Sequence, residues 1–165
     1  STRFDGAFAS FGSLNCEPAL SQLAAALARL LRPGSAFVCS VMARWCPFEL
    51  IWFLLHGQPR TAFRRLSRRW GTAAVAGANG VRATVPVRYF SASDIAAGFA
   101  PDFNLEYTRS LALFLPPPYL ADLYRRHPAL FTVLEQCDKR WRGRWPWRNL
   151  GDHICLILRR REAGP

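Results

Sequence analysis

Apolar residues follow three different rhythms along this chain. Continuous apolar runs at 4–12 ("FDGAFASFG") and 35–42 ("SAFVCSVM") read as buried strands of a parallel sheet. Between them, apolar positions 20, 23, 24, 27, 30 and 31 fall on one helical stripe. Asn15 is placed to cap that helix, Pro18 sits near its first turn, and Arg32-Pro33-Gly34 stops it. Strand, helix and strand in sequence predict a βαβ unit with its two strands parallel.

Residues 43–70 predict two helices broken at 56–59 ("HGQP"). The first is apolar almost all round; the second sets Phe63 and Leu66 against a basic face of Arg60, Arg64, Arg65, Arg68 and Arg69. The small residues of 71–80 predict a mobile loop, and 81–90 an extended segment that Pro86 keeps at an edge or outside the sheet. A short helix over 91–100 has Ser91 or Ser93 as its cap. A strand follows at 103–115, then one or two helices over 116–141, interrupted at Pro128. In the final strand, 152–162, Ile154, Leu156 and Leu158 share one face and Cys155 and Ile157 the other, so it belongs in the middle of a sheet.

The charge of +11, from 22 Lys and Arg against 11 Asp and Glu, favours anionic partners. An arginine-rich solvated surface explains it equally simply. The sharper form is a non-catalytic basic module that binds nucleic acid or an anionic membrane surface through 60–69 and 139–148, where "KRWRGRWPWR" alternates arginine with tryptophan. Five cysteines, at 16, 39, 46, 137 and 155, form no CxxC pair and no Cys/His metal spacing, so no metal is expected and a reducing cytoplasm fits. The most apolar stretch, "PFELIWFLLHG", is shorter than the ~20 residues of a membrane span.

Three stretches resemble the C-terminal half of class I S-adenosylmethionine-dependent methyltransferases. "FDGAFASFGSLN" looks like that family's fourth strand and the loop after it. "LARLLRPGSAFVCSV" is similar to its next helix and fifth strand, with Ser35 where Pro-Gly-Gly is usual. "GDHICLILRRR" resembles its last, antiparallel strand, inserted beside the fifth. The resemblance implies an α/β fold: a partial Rossmann-like sheet of two parallel strands, a third strand and an antiparallel last strand, with helical insertions. It divides a single partial domain into a β-α-β core (1–42), a helical insertion and loop (43–80), a helix and strand (81–115), a second helical insertion (116–150) and the last strand (151–162).

The family's glycine-rich turn after its first strand and the acidic residue after its second have no counterpart; Gly71, Gly77 and Gly80 follow a helix and lack the spacing. The expectation is therefore a fragment that is inactive by itself, with the cofactor-binding half absent. The edge of strand 4–10 would be left to pair with that half or with another copy.

By the resemblance, the loop of Ser10, Phe11, Gly12, Ser13 and Asn15 lines the methionine end of S-adenosylmethionine; an ordinary strand-to-helix turn, with Asn15 as a cap, accounts for it as well. Met42, Arg44, Trp45, Cys46 and Phe48 follow the second strand at the same edge and would wall a pocket for a small, apolar acceptor, although 45, 48 and 52 also have the spacing of helix core. Nothing near Cys46 activates it as a nucleophile. His56 and His127 sit at helix ends. His153, beside Asp152 at the start of an antiparallel last strand, is the candidate general base, against a reading as turn aspartate and surface histidine.

Overall fold

The structure, a computed structural model, describes residues 3–10, 12–76 and 82–162. Its main sheet has four strands: β1 (Phe4–Ala9), β2 (Leu31–Met42), β5 (Phe103–Leu111) and β6 (His153–Arg160), in the order β1-β2-β6-β5. β1 and β2 are parallel and joined through helix α1 (Leu20–Leu30). β6 is antiparallel to both of its neighbours, so β5 runs in the direction of β1 and β2. The carboxyl ends of β1, β2 and β5 and the amino end of β6 therefore meet at one edge. This is the α/β arrangement that the resemblance implies, with the last strand inserted in the middle.

The core lies under one face of the sheet. There Phe37, Cys39 and Val41 of β2 alternate with Ile154, Leu156 and Leu158 of β6, all buried. They pack against Ala24 and Ala28 of α1 and against Ile95 and Phe99 of helix α4 (Ala92–Phe99). The period of two along the strands and of 3.6 along the helices gives each element a single inward face. Phe99 stacks on Phe37 at 5.5 Å and meets Phe103 edge-on at 5.7 Å. α4 is started by a capping box between Ser91 and Asp94, so Ser91 and not Ser93 is the cap.

Several expectations need correction. β1 is not buried: Phe4 and Phe8 are 58% and 82% exposed, because β1 is an edge strand with a partner on one side only. Asn15 caps no helix; α1 begins without a side-chain cap, and Glu17 accepts the Ala19 N–H instead, at 2.7 Å. Arg32-Pro33-Gly34 does not separate helix from strand but lies within β2, as an irregularity where the pairing steps from Phe4↔Leu31 to Gly6↔Ala36. The stretch 71–80 is not a loop throughout, since β3 (Gly71–Ala76) pairs antiparallel with β4 (Arg82–Val87) in a separate two-stranded sheet. Pro86 lies in that small sheet and outside the main one. Gly77 and Gly80 fall outside the described residues.

The first insertion contains α2 (Pro47–Leu55) and the single turn α3 (Pro59–Ala62), followed by a 3-10 turn at Arg64–Leu66. The second contains α5 (Asp122–Arg126) and α6 (Pro128–Trp141), divided at Pro128. Both insertions follow strands of the main sheet at the edge where its carboxyl ends meet. No helix among the described residues is long and apolar enough to cross a membrane.

Candidate active site at the carboxyl edge of the sheet

The loop leaving β1 is held by its backbone. Gly12 has φ +75° and donates its N–H to the Ser40 carbonyl at 3.3 Å. A Cβ there would come within 3.0 Å of Asn15 Oδ1 and 3.3 Å of Met42 Cγ, so both the conformation and the space require glycine. Asn15 is fully buried. Its Nδ2 donates to the Met42 carbonyl (3.1 Å) and the Arg88 carbonyl (2.7 Å), and its Oδ1 accepts the Met42 N–H at 2.7 Å. These bonds tie the ends of β2 and β4 to the loop and turn the amide away from any ligand. Ser10 and Ser13 are exposed at the edge, and Phe11 lies outside the described residues.

On the other side of β2, Met42 is the cross-strand partner of His153. The turn into β6 passes through Gly151, with φ +128°, where a Cβ would come within 2.5 Å of Ser110 Oγ. The next residue, Asp152, is buried and accepts from three sides. Its Oδ2 lies 2.9 Å from His153 Nδ1, its Oδ1 takes Arg65 Nη2 at 2.7 Å, and its carbonyl takes Arg65 Nη1 at 3.0 Å. Burial works to raise the Asp152 pKa, but the bonds from His153 and Arg65 prevail and hold it below the usual carboxylate range. With Nδ1 held by an ionised carboxylate, the Nε2 of His153 is the ring nitrogen left to accept a proton.

Arg65, on the basic face that the sequence predicts, is buried. Besides Asp152 it pairs with Glu49 Oε2 at 2.5 Å, and its guanidinium lies 5.1 Å from the Tyr89 ring centre. Arg64 holds the other oxygen of Glu49 through Nε at 2.7 Å. Two of the five arginines at 60–69 are thus committed to internal carboxylates. Donor atoms of Cys46, Glu49 and Asp152 lie within 4.8 Å of one another, a spacing that could suit a cation, but Arg65 already bridges both carboxylates. Burial pushes the Cys46 thiol up to about 11, which keeps it a neutral, poor ligand and poor nucleophile.

The five residues expected to wall an acceptor pocket do not converge. Arg44 is buried and pairs with Asp94 at 2.7 Å. Trp45 is exposed beside Leu150 and Asn149, Cys46 turns toward Glu49, and Met42 stays at the strand end. Of the five, only Phe48 reaches an apolar cavity of about 420 Å³, which it lines together with Ile51, Leu55, Phe114, Leu134 and Trp147. Trp52, which its spacing allows as core, stands on the same wall. Asp138 of α6 accepts the N–H groups of Leu113 (2.5 Å) and Phe114 (3.2 Å), and so fixes the far side. Sequence reasoning missed Phe114, Leu134 and Trp147, and of these only Trp147, in an aromatic stretch of the second insertion, carried a signal.

No protein-family model matches the chain, and no curated protein matches it. Its fold is similar to that of solved S-adenosylmethionine-dependent methyltransferases. One from Mesorhizobium loti has 15% identity and a TM-score of 0.48, over 95% of this chain and 62% of its own. The CcbJ methyltransferase of Streptomyces caelestis has 15% identity and 0.48, over 98% and 59%. One from Clostridium acetobutylicum has 8% identity and 0.49, over 98% and 60%. The chain thus spans about 60% of the length of the structures it matches.

Proposed function

We propose that the chain forms the acceptor side of a methyltransferase site, which moves a methyl group from S-adenosylmethionine to a small apolar acceptor. The observation that carries the reading is the Asp152–His153 pair, 2.9 Å apart, set by the inserted strand β6 at the same sheet edge as the Gly12 turn. Ligands of open α/β sheets bind at the carboxyl ends of parallel strands. Ser10 and Ser13, exposed on either side of the Gly12 turn, suit the methionine end of the cofactor. The cofactor would supply an electrophilic methyl on a sulfonium leaving group. His153 Nε2 would accept the acceptor's proton as its heteroatom bonds to carbon, and Asp152 would hold the resulting imidazolium. Arg65 and Glu49 keep Asp152 in place, and rigid positioning supplies most of the acceleration.

The rest of the cofactor site would come from residues that pair with the free edge of β1, and the chain by itself is then inactive. That edge, with Phe4 and Phe8 exposed, is the support for this part of the reading.

S-adenosylhomocysteine titrated to millimolar concentration into the isotope-labelled chain tests the proposal by amide NMR. Weak, non-saturating shifts at Gly12, Ser13, Met42 and His153 are expected. No shift at these amides would overturn the site. Micromolar, saturable binding in calorimetry would overturn the division of the cofactor site between this chain and a partner along β1.

A further inference from the structure

We infer that the 420 Å³ cavity along α2 is a binding site for the hydrocarbon body of an elongated ligand, which enters with its polar end toward Asp152 and His153. Calling that ligand the methyl acceptor rests on the proposed function; the binding itself does not.

Size gives the first argument. An apolar cavity of about 150 Å³ accepts one benzene, and ligand pockets usually measure about 300–1,000 Å³. The cavity therefore has room for a hydrocarbon of roughly a dozen to eighteen carbons by the same scale. Its walls give the second. Phe48 and Trp52 stack with ring centres 6.2 Å apart and planes 12° from parallel, and Phe114 meets Trp147 at 5.9 Å on the opposite side. Three backbone polar groups of these walls are used elsewhere: the Leu113 and Phe114 N–H groups by Asp138, and the Trp52 carbonyl by His56 Nδ1 at 2.7 Å. A water needs two to four polar partners, and this lining offers it none of those groups.

Orientation follows from α2. Phe48 and Leu55 are seven residues apart on it, about 10 Å at the helical rise. At the Phe48 end, Leu113 on the wall follows Ala112, whose carbonyl accepts the Asp152 N–H at 3.0 Å. At the other end Leu55 is 79% exposed while lining the same cavity, and Ile51, midway along, is 57% exposed. An apolar cavity continuous with an apolar surface rim is an entrance for an apolar ligand.

The test uses the full chain and a bromine-tipped undecanoic acid, whose bromine quenches nearby indoles; Trp52 and Trp147 are on the wall. Saturable quenching is expected, and the amplitude should fall in W52F and in W147F. Leu134→Arg, which fills and charges the cavity, should weaken binding at least tenfold. Leu55→Glu, at the exposed rim and without effect on folding, should weaken it about threefold. A second arm replaces the free acid with vesicles of brominated phosphatidylcholine. Quenching there, with the chain sedimenting with the vesicles, identifies a bilayer as the source of the hydrocarbon; quenching by the free acid alone identifies a dissolved ligand. Either supports the site if L134R abolishes it. Quenching that does not saturate, or that L134R and L55E leave unchanged, overturns the inference. Edge shifts with S-adenosylhomocysteine would then persist, which separates failure of this site from failure of the methyl-transfer reading.

Discussion

The two faces of the main sheet are built from alternate residues of the same strands, yet they keep very different company. On one, Phe37, Leu158 and Leu105 lie side by side beneath α1 and α4, with Cys39 and Leu156 in the next row. On the other, the row Phe8, Val38, Ile157 and Tyr107 crosses all four strands and stays open to solvent among the described residues, with Phe8, Val38 and Tyr107 82%, 37% and 43% exposed. Sheets with parallel strands are normally covered on both faces, so the second face has the side chains of an interior without the layer that would make it one. The lesson is that residue type records what a face is built to meet, while burial records what it meets in this chain.

The largest effect should come from breaking the covered face. Phe99→Ala empties the space between Phe37 and Phe103 and should cost about 3–5 kcal/mol, read from the denaturant midpoint. A loss below about 1 kcal/mol would mean that this face is no better packed than its opposite.

Arg65→Leu should cost slightly less, about 3 kcal/mol, because it leaves Glu49 and Asp152 as buried carboxylates without their shared cation. The variant should still bind the brominated acid, since Arg65 is not among the residues that line the cavity and the hydrocarbon body carries the binding. A loss of binding equal to that in L134R would show that the cavity depends on the Arg65 ion pairs for its shape.

Acidification should have a smaller effect. The pKa of Asp152 is lowered in the fold, so its stabilising contribution is complete above the unfolded value, about 4, and is lost as the pH falls through the folded value. Asp94, lowered by bonds from Ser91 and Arg44 against the opposing effect of its burial, adds to the same trend. Melting temperature should therefore hold as the pH falls to about 4 and decline below it, less steeply in D152N.

The smallest change belongs to the open face: Phe8→Ser should alter stability by less than about 0.5 kcal/mol, since a side chain already in water loses little. A loss of 2 kcal/mol or more would reveal that a second copy covers Phe8 in solution, and sedimentation of the two forms would show it directly.

The same contrast explains what could be read from sequence. β6 was legible because Ile154, Leu156 and Leu158 repeat with period two between apolar neighbours, a pattern that only a central strand requires. A serine cap before α4 was legible, but Ser91 and Ser93 stayed open until the Ser91–Asp94 capping box decided between them. β1 was recognised as a strand, but an apolar run does not say which of its faces is covered, and Phe8 was misjudged for that reason. β3, made of small residues without alternation, carried no strand signal. At the site, Asp152 and His153 are adjacent in the chain and could be found together. Arg65 could not be linked to them, since 87 residues separate it from Asp152 and nothing local distinguishes it from Arg64 or Arg68. Asn15 was misread likewise, for its partners Met42 and Arg88 come from distant segments.

The central place of β6 also governs how the molecule is assembled. Met42 and His153 are neighbours in the sheet but stand more than a hundred residues apart in the chain. Closing so long a loop adds little to the equilibrium cost, but it slows folding, because distant contacts must be found before they stabilise anything. On the ribosome, at roughly 5–20 residues per second, β1, α1 and β2 wait about 5–20 s for the strand that completes them. Through that interval one edge of β2 has no partner, and apolar side chains on both its faces are open to other nascent chains. The same insertion that brings His153 beside Met42 should therefore slow folding and lengthen the time for which β2 is open to other nascent chains.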